Sequence, residues 1–303
     1  MTPQDQQVSR RELLRTAAVG AAALMLPARL VACNRGDPDL ERLTRWVEVL
    51  RAEGLGRPGI SLGRAAVRVG ALAAGTPYVP YTLEEYLRNG GSPLQEPLTL
   101  SLAHFDCVTL VESCLAVARL ARTDQGPTWK RLGQEIERMR YRGGTRAGFT
   151  SRLHYFSEWI TDGEKRKLVK DLGKELGGTA DNRPLRFMSE HREEYPALAN
   201  DGVFQDIKEI ERRLSQNPRQ VLALERIPQV ARRIETGDVL GFATRIAGLD
   251  VTHTAFAYRD RVGVLRVLHA PLSGGVVEIT RATLPEYVGA IRRSTGILVA
   301  RPI

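Results

Sequence analysis

"DCVTLVESCLAVARLAR", residues 106–122, decides how the rest of this chain is read. Val111, Cys114 and Leu115 recur at the spacing of one helix face. Asp106, a short acid just before the apolar run, is a good N-cap. Cys107 therefore stands at the first turn of a strong helix. There the partial positive charge of the helix end and its unpaired amides can lower a thiol's pKa. Cys107 and Cys114 lie two helical turns apart, so their Cα atoms are ~10 Å apart at ~1.5 Å per residue. A disulfide tolerates no more than ~7 Å. Both are expected as thiols: Cys114 packed inertly in the core, and Cys107 in need of another reason to be there.

Elements on either side of this helix set the fold class. Residues 38–54 carry Leu40, Leu43, Trp46, Val47 and Leu50 at helical spacing. A second helix is predicted over 62–74, stopped by Gly75, Pro77 and Pro80. "EPLTLSLAHF", 96–105, reads as a strand or extended run. Residues 125–235 are charge-rich and mostly helical in pattern, and about 160–235 reads as a helical insertion. "GDVLGFATRIAGLDVTHTAFAYRD", "VGVLRVLHAP" and "GGVVEITR" are β-branched runs between turns, predicting a β-meander. A last helix over 283–293 and a strand in "GILVARPI" complete the chain. Helices, an insertion and then antiparallel strands make an α+β domain.

The first 33 residues stand apart from the fold. Arg10 and Arg11 form a pair, Ala17–Leu26 is a mildly apolar run too short to span a bilayer, and "LVAC" ends at Cys33. This reads as a twin-arginine-type signal peptide with a lipobox, with Cys33 lipidated. The expected destination is the cell envelope, with the protein membrane-anchored by lipid and facing the periplasm or cell wall. Asn34 is compatible with outer-membrane sorting. Of 44 basic and 35 acidic residues, 40 and 33 lie from residue 33 onward, formally +7. That excess suits anionic surfaces such as phospholipid head groups and wall polymers. No nucleic-acid motif accompanies it, and no nucleic-acid partner is expected.

A nucleophilic cysteine needs a base. Among five histidines, His253 in "VTHTAFAY" and His269 in "VLRVLHAP" lie in the strand region. Adjacent antiparallel strands can bring them together, His253 as base and His269 as the group that orients it. A zinc site from Cys107, His253 and His269 is the rival reading, but structural zinc favours four ligands and paired cysteine spacing. The paired spacing is absent, and neither metal nor cofactor is expected.

"GTPYVPYTLE", "FDCVTLVE", "SRLHYFSEWI", "GDVLGF", "THTAFAY" and "LHAP" occur in an order that resembles one family. This is the bacterial N-acetylmuramoyl-L-alanine amidases of the papain-like, NlpC-type cell-wall hydrolase superfamily. The branch was first catalogued as a domain of unknown function and is associated with anhydro-muropeptides. The likeness covers roughly residues 40–303. It implies a papain-like NlpC-type fold, a catalytic helix on an antiparallel sheet, and a single cysteine amidase-like domain over 34–303. It implies Cys107 as nucleophile, His253 as base and His269 as orienting residue. Tyr78 is expected near the nucleophile, with Asp106, Arg152, His154 and Tyr155 on the substrate side. Arg152 suits a carboxylate clamp, and "SRLHYFSEWI" also reads as an amphipathic helix packing Leu153, Phe156 and Trp159. Two positions depart from the superfamily pattern: Val108 follows Cys107 where a small residue is usual, and Ala255 stands where Gly is frequent. The expected substrates are muropeptides, cut at the lactyl–L-Ala amide. A D-Glu–diamino acid endopeptidase, a lipid acyltransferase and a non-catalytic wall-binding lipoprotein are the alternatives.

Overall fold

The computed structural model describes residues 37–272 and 275–303. Signal, lipobox and Cys33 lie outside the described residues. Helix α1 (Pro38–Ala52) starts at Asp37, whose carboxylate accepts the Asp39 amide, and it buries Leu43, Trp46, Val47 and Leu50 as its spacing predicts. Helix α2 (Leu62–Leu72) follows. Helix α3 (Cys107–Ala121) is buried along most of its length and packs between α1, α2 and the sheet. Helices α4 (Trp129–Arg140), α5 (Phe156–Lys165) and α6 (Asp201–Leu214) come next. The run 96–105 forms no strand; it is a loop that touches regular structure through a bridge between Phe105 and Tyr78.

One antiparallel sheet organises the rest. Its strands are β1 (Val169–Asp171), β2 (Thr179–Asp181), β3 (Arg219–Ala223), β4 (Val239–Thr244), β5 (Val251–Arg259), β6 (Leu265–His269), β7 (Glu278–Ile279) and β8 (Ser294–Pro302). Their order is β2-β3-β8-β4-β5-β6-β7, with β1 also on β8. The meander predicted from the last third of the sequence is β4-β5-β6-β7. Helix α7 (Leu284–Ala290) leads into β8.

The segment 160–235 is not helical throughout, because β1, β2 and β3 lie inside it. "VKD" and "TAD" carry no apolar alternation. They are strands only because β8 and β3 offer them backbone partners, which a local pattern does not reveal.

Both faces of the sheet are covered, and the period-2 alternation sorts its side chains. Val239, Ala243, Phe256, Leu268, Leu298 and Ala300 face the core built with α1, α2 and α3. Leu240, Phe242, Ala255, Ala257, Val267, Ile297 and Val299 face a second core with Ile227, Val230, Leu284 and Val288. "GDVLGF" marks where these layers meet most closely. Gly237 has φ +96, and a Cβ there would lie 2.0 Å from the Gly63 carbonyl carbon at the start of α2. A Cβ on Gly241 would lie 2.6 Å from the Phe156 ring. Asp238 between them is buried and receives the Arg301 guanidinium, Nε to Oδ1 2.7 Å.

Inside the helical layer, Arg140 Nε donates to Glu112 Oε2 at 2.7 Å, and both side chains are sealed from solvent. Breaking one side of such a pair strands the other charge. Arg140→Ala is expected to cost roughly 3–5 kcal/mol, measured as a lowered denaturant midpoint. Arg140→Met combined with Glu112→Leu is expected to cost much less.

Candidate active site

The start of α3 is built by its own sequence. Asp106 Oδ1 accepts from the amides of Val108 at 2.9 Å and Thr109 at 2.7 Å. The Thr109 hydroxyl accepts the Asp106 amide at 2.9 Å, closing a capping box. Cys107 is thereby held as the first helical residue. The cap also uses two of the amides that a tetrahedral oxyanion could otherwise approach, leaving Cys107's own N–H outside it. Asp106 is thus an architectural residue of the helix start, with Oδ1 given to the cap. Neither Cys107 nor Cys114 is in a disulfide. Burial pushes the Cys114 thiol well up, as fits inert packing.

Strand β5 comes to this helix start directly. The Thr254 hydroxyl donates to the Cys107 carbonyl at 3.0 Å. The β4–β5 register slips between Gly241–Thr254 and Ala243–Val251, so β5 carries an extra residue at Thr252–His253. A bulge re-aims the side chain it carries, and this one carries His253. Its ring stacks on Phe242, centroids 5.6 Å apart.

His253 Nε2 lies 2.8 Å from His269 Nδ1. Leu268 pairs with Phe256, so the two histidines are diagonal neighbours on β5 and β6, not directly opposite. The bulge and the small Ala255 close that diagonal. Burial, then the adjacent His269, holds His253 well below the ordinary imidazole range. Burial alone brings His269 down to about 4. Both rings are therefore neutral at neutral pH, and a neutral imidazole is what a base requires. Tyr287 of α7 completes the cluster: its hydroxyl lies 3.2 Å from His269 Nδ1, and its electrostatic neighbours include Cys107. The site thus gathers a thiol at a helix start, the strand bonded to that helix start, and two hydrogen-bonded imidazoles on that strand and its neighbour.

Tyr78 is half-buried and runs parallel to Phe105, two residues before Cys107. That places it beside the helix start. Residues 152–155 are spent differently from expectation. Arg152 is 6% exposed, with Nη1 2.8 Å from Glu84 and Nε 3.3 Å from Glu96. This guanidinium clamps the protein's own carboxylates. Tyr155 is 2% exposed and donates to Glu211 at 2.6 Å, as a core side chain does. His154 is half-buried, its Nε2 2.8 Å from the Phe149 carbonyl. Of "SRLHYFSEWI" only Phe156 onward is α-helical, burying Phe156, Trp159 and Ile160; Leu153, read as part of that helix, lies before it and is partly buried against the core. Among the described residues no group of three or more His, Cys, Asp or Glu is placed to hold a metal ion.

Sequence reasoning missed Phe242, Thr254, Glu278 and Tyr287. Tyr287 had no signal, being one aromatic in a short helix. Thr254 had a weak one, a hydroxyl next to the candidate base.

A family model described as N-acetylmuramoyl-L-alanine amidase-like matches residues 68–297. The crystal structure of an N-acetylmuramoyl-L-alanine amidase from Bacteroides uniformis superposes with TM-score 0.71 at 28% identity, covering 80% of this chain and 99% of that one. A Bacteroides fragilis protein under a provisional xylanase name gives TM-score 0.69 at 30% identity, covering 77% and 98%. A Legionella pneumophila protein of the DUF1460 family shares the fold at TM-score 0.62 and 16% identity, covering 87% and 94%. No curated protein sequence matches the chain.

A histidine whose pKa falls on folding stabilises the protein above its unfolded pKa and loses that contribution as pH drops toward the folded value. For His269 the window runs from 6.5 down to about 4. Thermal unfolding is expected to show stability falling across it, by roughly 3 kcal/mol for this ring at ~1.36 kcal/mol per pKa unit. His269→Gln is expected to flatten that decline.

Proposed function

The chain belongs to the N-acetylmuramoyl-L-alanine amidase-like family, hydrolases of peptidoglycan-derived material, and from that premise we propose that it is a cysteine-dependent amidase. Its substrate is a muropeptide, cut between the lactyl group of (anhydro)muramic acid and L-Ala. The observation that carries this reading is Cys107 at a capped helix start, tied by Thr254 to the strand that holds His253 against His269.

His253 Nε2 is turned to His269, so Nδ1 is the nitrogen that takes the thiol proton. The thiolate attacks the lactyl carbonyl carbon, and the Cys107 amide is the protein donor closest in sequence to the oxyanion. The tetrahedral intermediate collapses to a thioester as His253 returns its proton to the leaving amine of the stem peptide. Water, deprotonated by the same nitrogen, then releases the sugar acid and regenerates the thiol. No step draws on a cofactor.

The Bacteroides fragilis neighbour's name points to glycoside hydrolysis, which uses two carboxyl groups across the scissile bond. Asp106, the acid beside the thiol, is committed to the helix cap, and this favours the amidase reading. Arg10, Arg11 and the "LVAC" ending at Cys33 support export and lipid anchoring at the cell envelope. Among the described residues no helix is long and apolar enough to cross a membrane.

The test incubates the protein and its Cys107→Ala variant with a muropeptide digest containing anhydro and reducing ends, read by mass spectrometry. Free stem peptide and free sugar are expected, lost by at least about a thousandfold in the variant with its fold intact. Shortened stems would assign the cut to the D-Glu–diamino acid bond, and full activity in Cys107→Ala would end the cysteine mechanism. A matching expectation for export is a lipid-bearing mass at Cys33 in protein recovered from membranes, absent in Cys33→Ala.

A further inference from the structure

The hydrogen bond between His253 Nε2 and His269 Nδ1 can be made with the proton on either ring, and only one choice leaves a working base. If His269 carries its proton on Nδ1, it donates to His253 Nε2. Neutral His253 must then be protonated on Nδ1, the nitrogen that would have to accept the thiol proton. If His269 carries its proton on Nε2, its Nδ1 accepts from His253 Nε2–H and His253 Nδ1 is bare. The pair alone does not select between these states. Tyr287, protonated and 3.2 Å from the same Nδ1, can accept from it in the first state or donate to it in the second.

The selecting contact lies on the other side of the ring. His269 is 1% exposed, and its Nε2 has no hydrogen-bond partner among the described residues. Glu278, directly opposite it in the β6–β7 register, brings Oε1 to 3.6 Å from that nitrogen. The groups facing His269 are His253 from β5, Tyr287 from α7 and Glu278 from β7, and of these only Glu278 is an acid. A bare Nε2 would set a lone pair against a carboxylate oxygen at a nitrogen that is itself buried. An Nε2–H meets an acceptor, which a small rotation of the half-exposed carboxylate brings into hydrogen-bond range.

We propose that Glu278 is a positioning residue that fixes His269 as its Nε2–H tautomer and thereby keeps His253 Nδ1 free to act as base. The relay runs Glu278, His269, His253, Cys107, with Glu278 outside contact with substrate. This rests on the cysteine mechanism above, and its test separates the two.

The test uses the intact protein with histidine-selective 15N labelling, reading imidazole nitrogen shifts at pH 7.5, alongside steady-state turnover of an N-acetylmuramoyl-L-alanyl peptide. Wild type is expected to show His269 protonated on Nε2. Glu278→Ala is expected to move His269 toward the Nδ1–H tautomer and lower kcat on the order of tenfold with KM little changed, as for loss of an outer-shell partner. Glu278→Gln offers both a donor and an acceptor of the same shape and is expected to fall between, with folding preserved; Glu278→Asp is expected to restore most of the rate. An unchanged His269 tautomer or an unchanged kcat in Glu278→Ala overturns the proposal. Activity surviving in Cys107→Ala, run in parallel, overturns the cysteine mechanism instead, and the tautomer spectrum still decides the role of Glu278.

Discussion

Strand β5 is tied to the starts of two helices, and the site depends on both ties. The Thr254 hydroxyl holds the Cys107 carbonyl at 3.0 Å, fixing α3. The carboxylate of Asp250, just before the strand, accepts the Ser157 amide at 2.7 Å, fixing α5. His253 lies between these anchors, on the bulge. A ring in that position has little freedom to drift along the strand. Pre-organisation of this kind puts the cost of ordering into folding, so it is not incurred at each turnover.

The charged interior serves the same end by a different route. Arg140 with Glu112, and Arg152 with Glu84 and Glu96, sit behind α3. Arg140 also donates to the Thr99 carbonyl, and the Tyr141 hydroxyl donates to Glu96. Together they hold the irregular segment 84–99, which has little regular structure of its own. Such pairs are a weak source of net stability because desolvation offsets most of the attraction. Their effect is directional: each fixes one carbonyl or carboxylate in a set place. Arg152 is thus spent inside the protein, on Glu84 and Glu96.

Chemistry at the site follows from burial as much as from residue type. His253 and His269 are held neutral by their surroundings. Tyr287 keeps its proton because burial, Glu278 and Cys107 all oppose losing it. Two neutral imidazoles and a phenol that stays protonated form a proton inventory with few free choices. The remaining choice, the tautomer of His269, falls to an exposed acid across the sheet.

Much of this was legible in the sequence because it is local. The capping box needs only Asp106 and Thr109 three residues apart, and the faces of α1 and α3 follow from apolar spacing. The β-meander follows from β-branched runs between glycine turns, and the thiol state of Cys107 and Cys114 from helical rise. The candidate triad was legible too, because helix start and strand each have a pattern that places Cys107, His253 and His269. What the tertiary structure alone decided involves long-range partners. Strands β1, β2 and β3 exist through pairing with β8 and one another, so 160–235 could not be read correctly from its own composition. Arg152 and Tyr155 face inward because Glu84, Glu96 and Glu211 arrive from distant segments. The His253–His269 contact needs a bulge and an alanine across two strands. Sequence determined which residues can do chemistry here; packing decided which of them are free to do it, since a side chain's role depends on which neighbours claim its hydrogen bonds first.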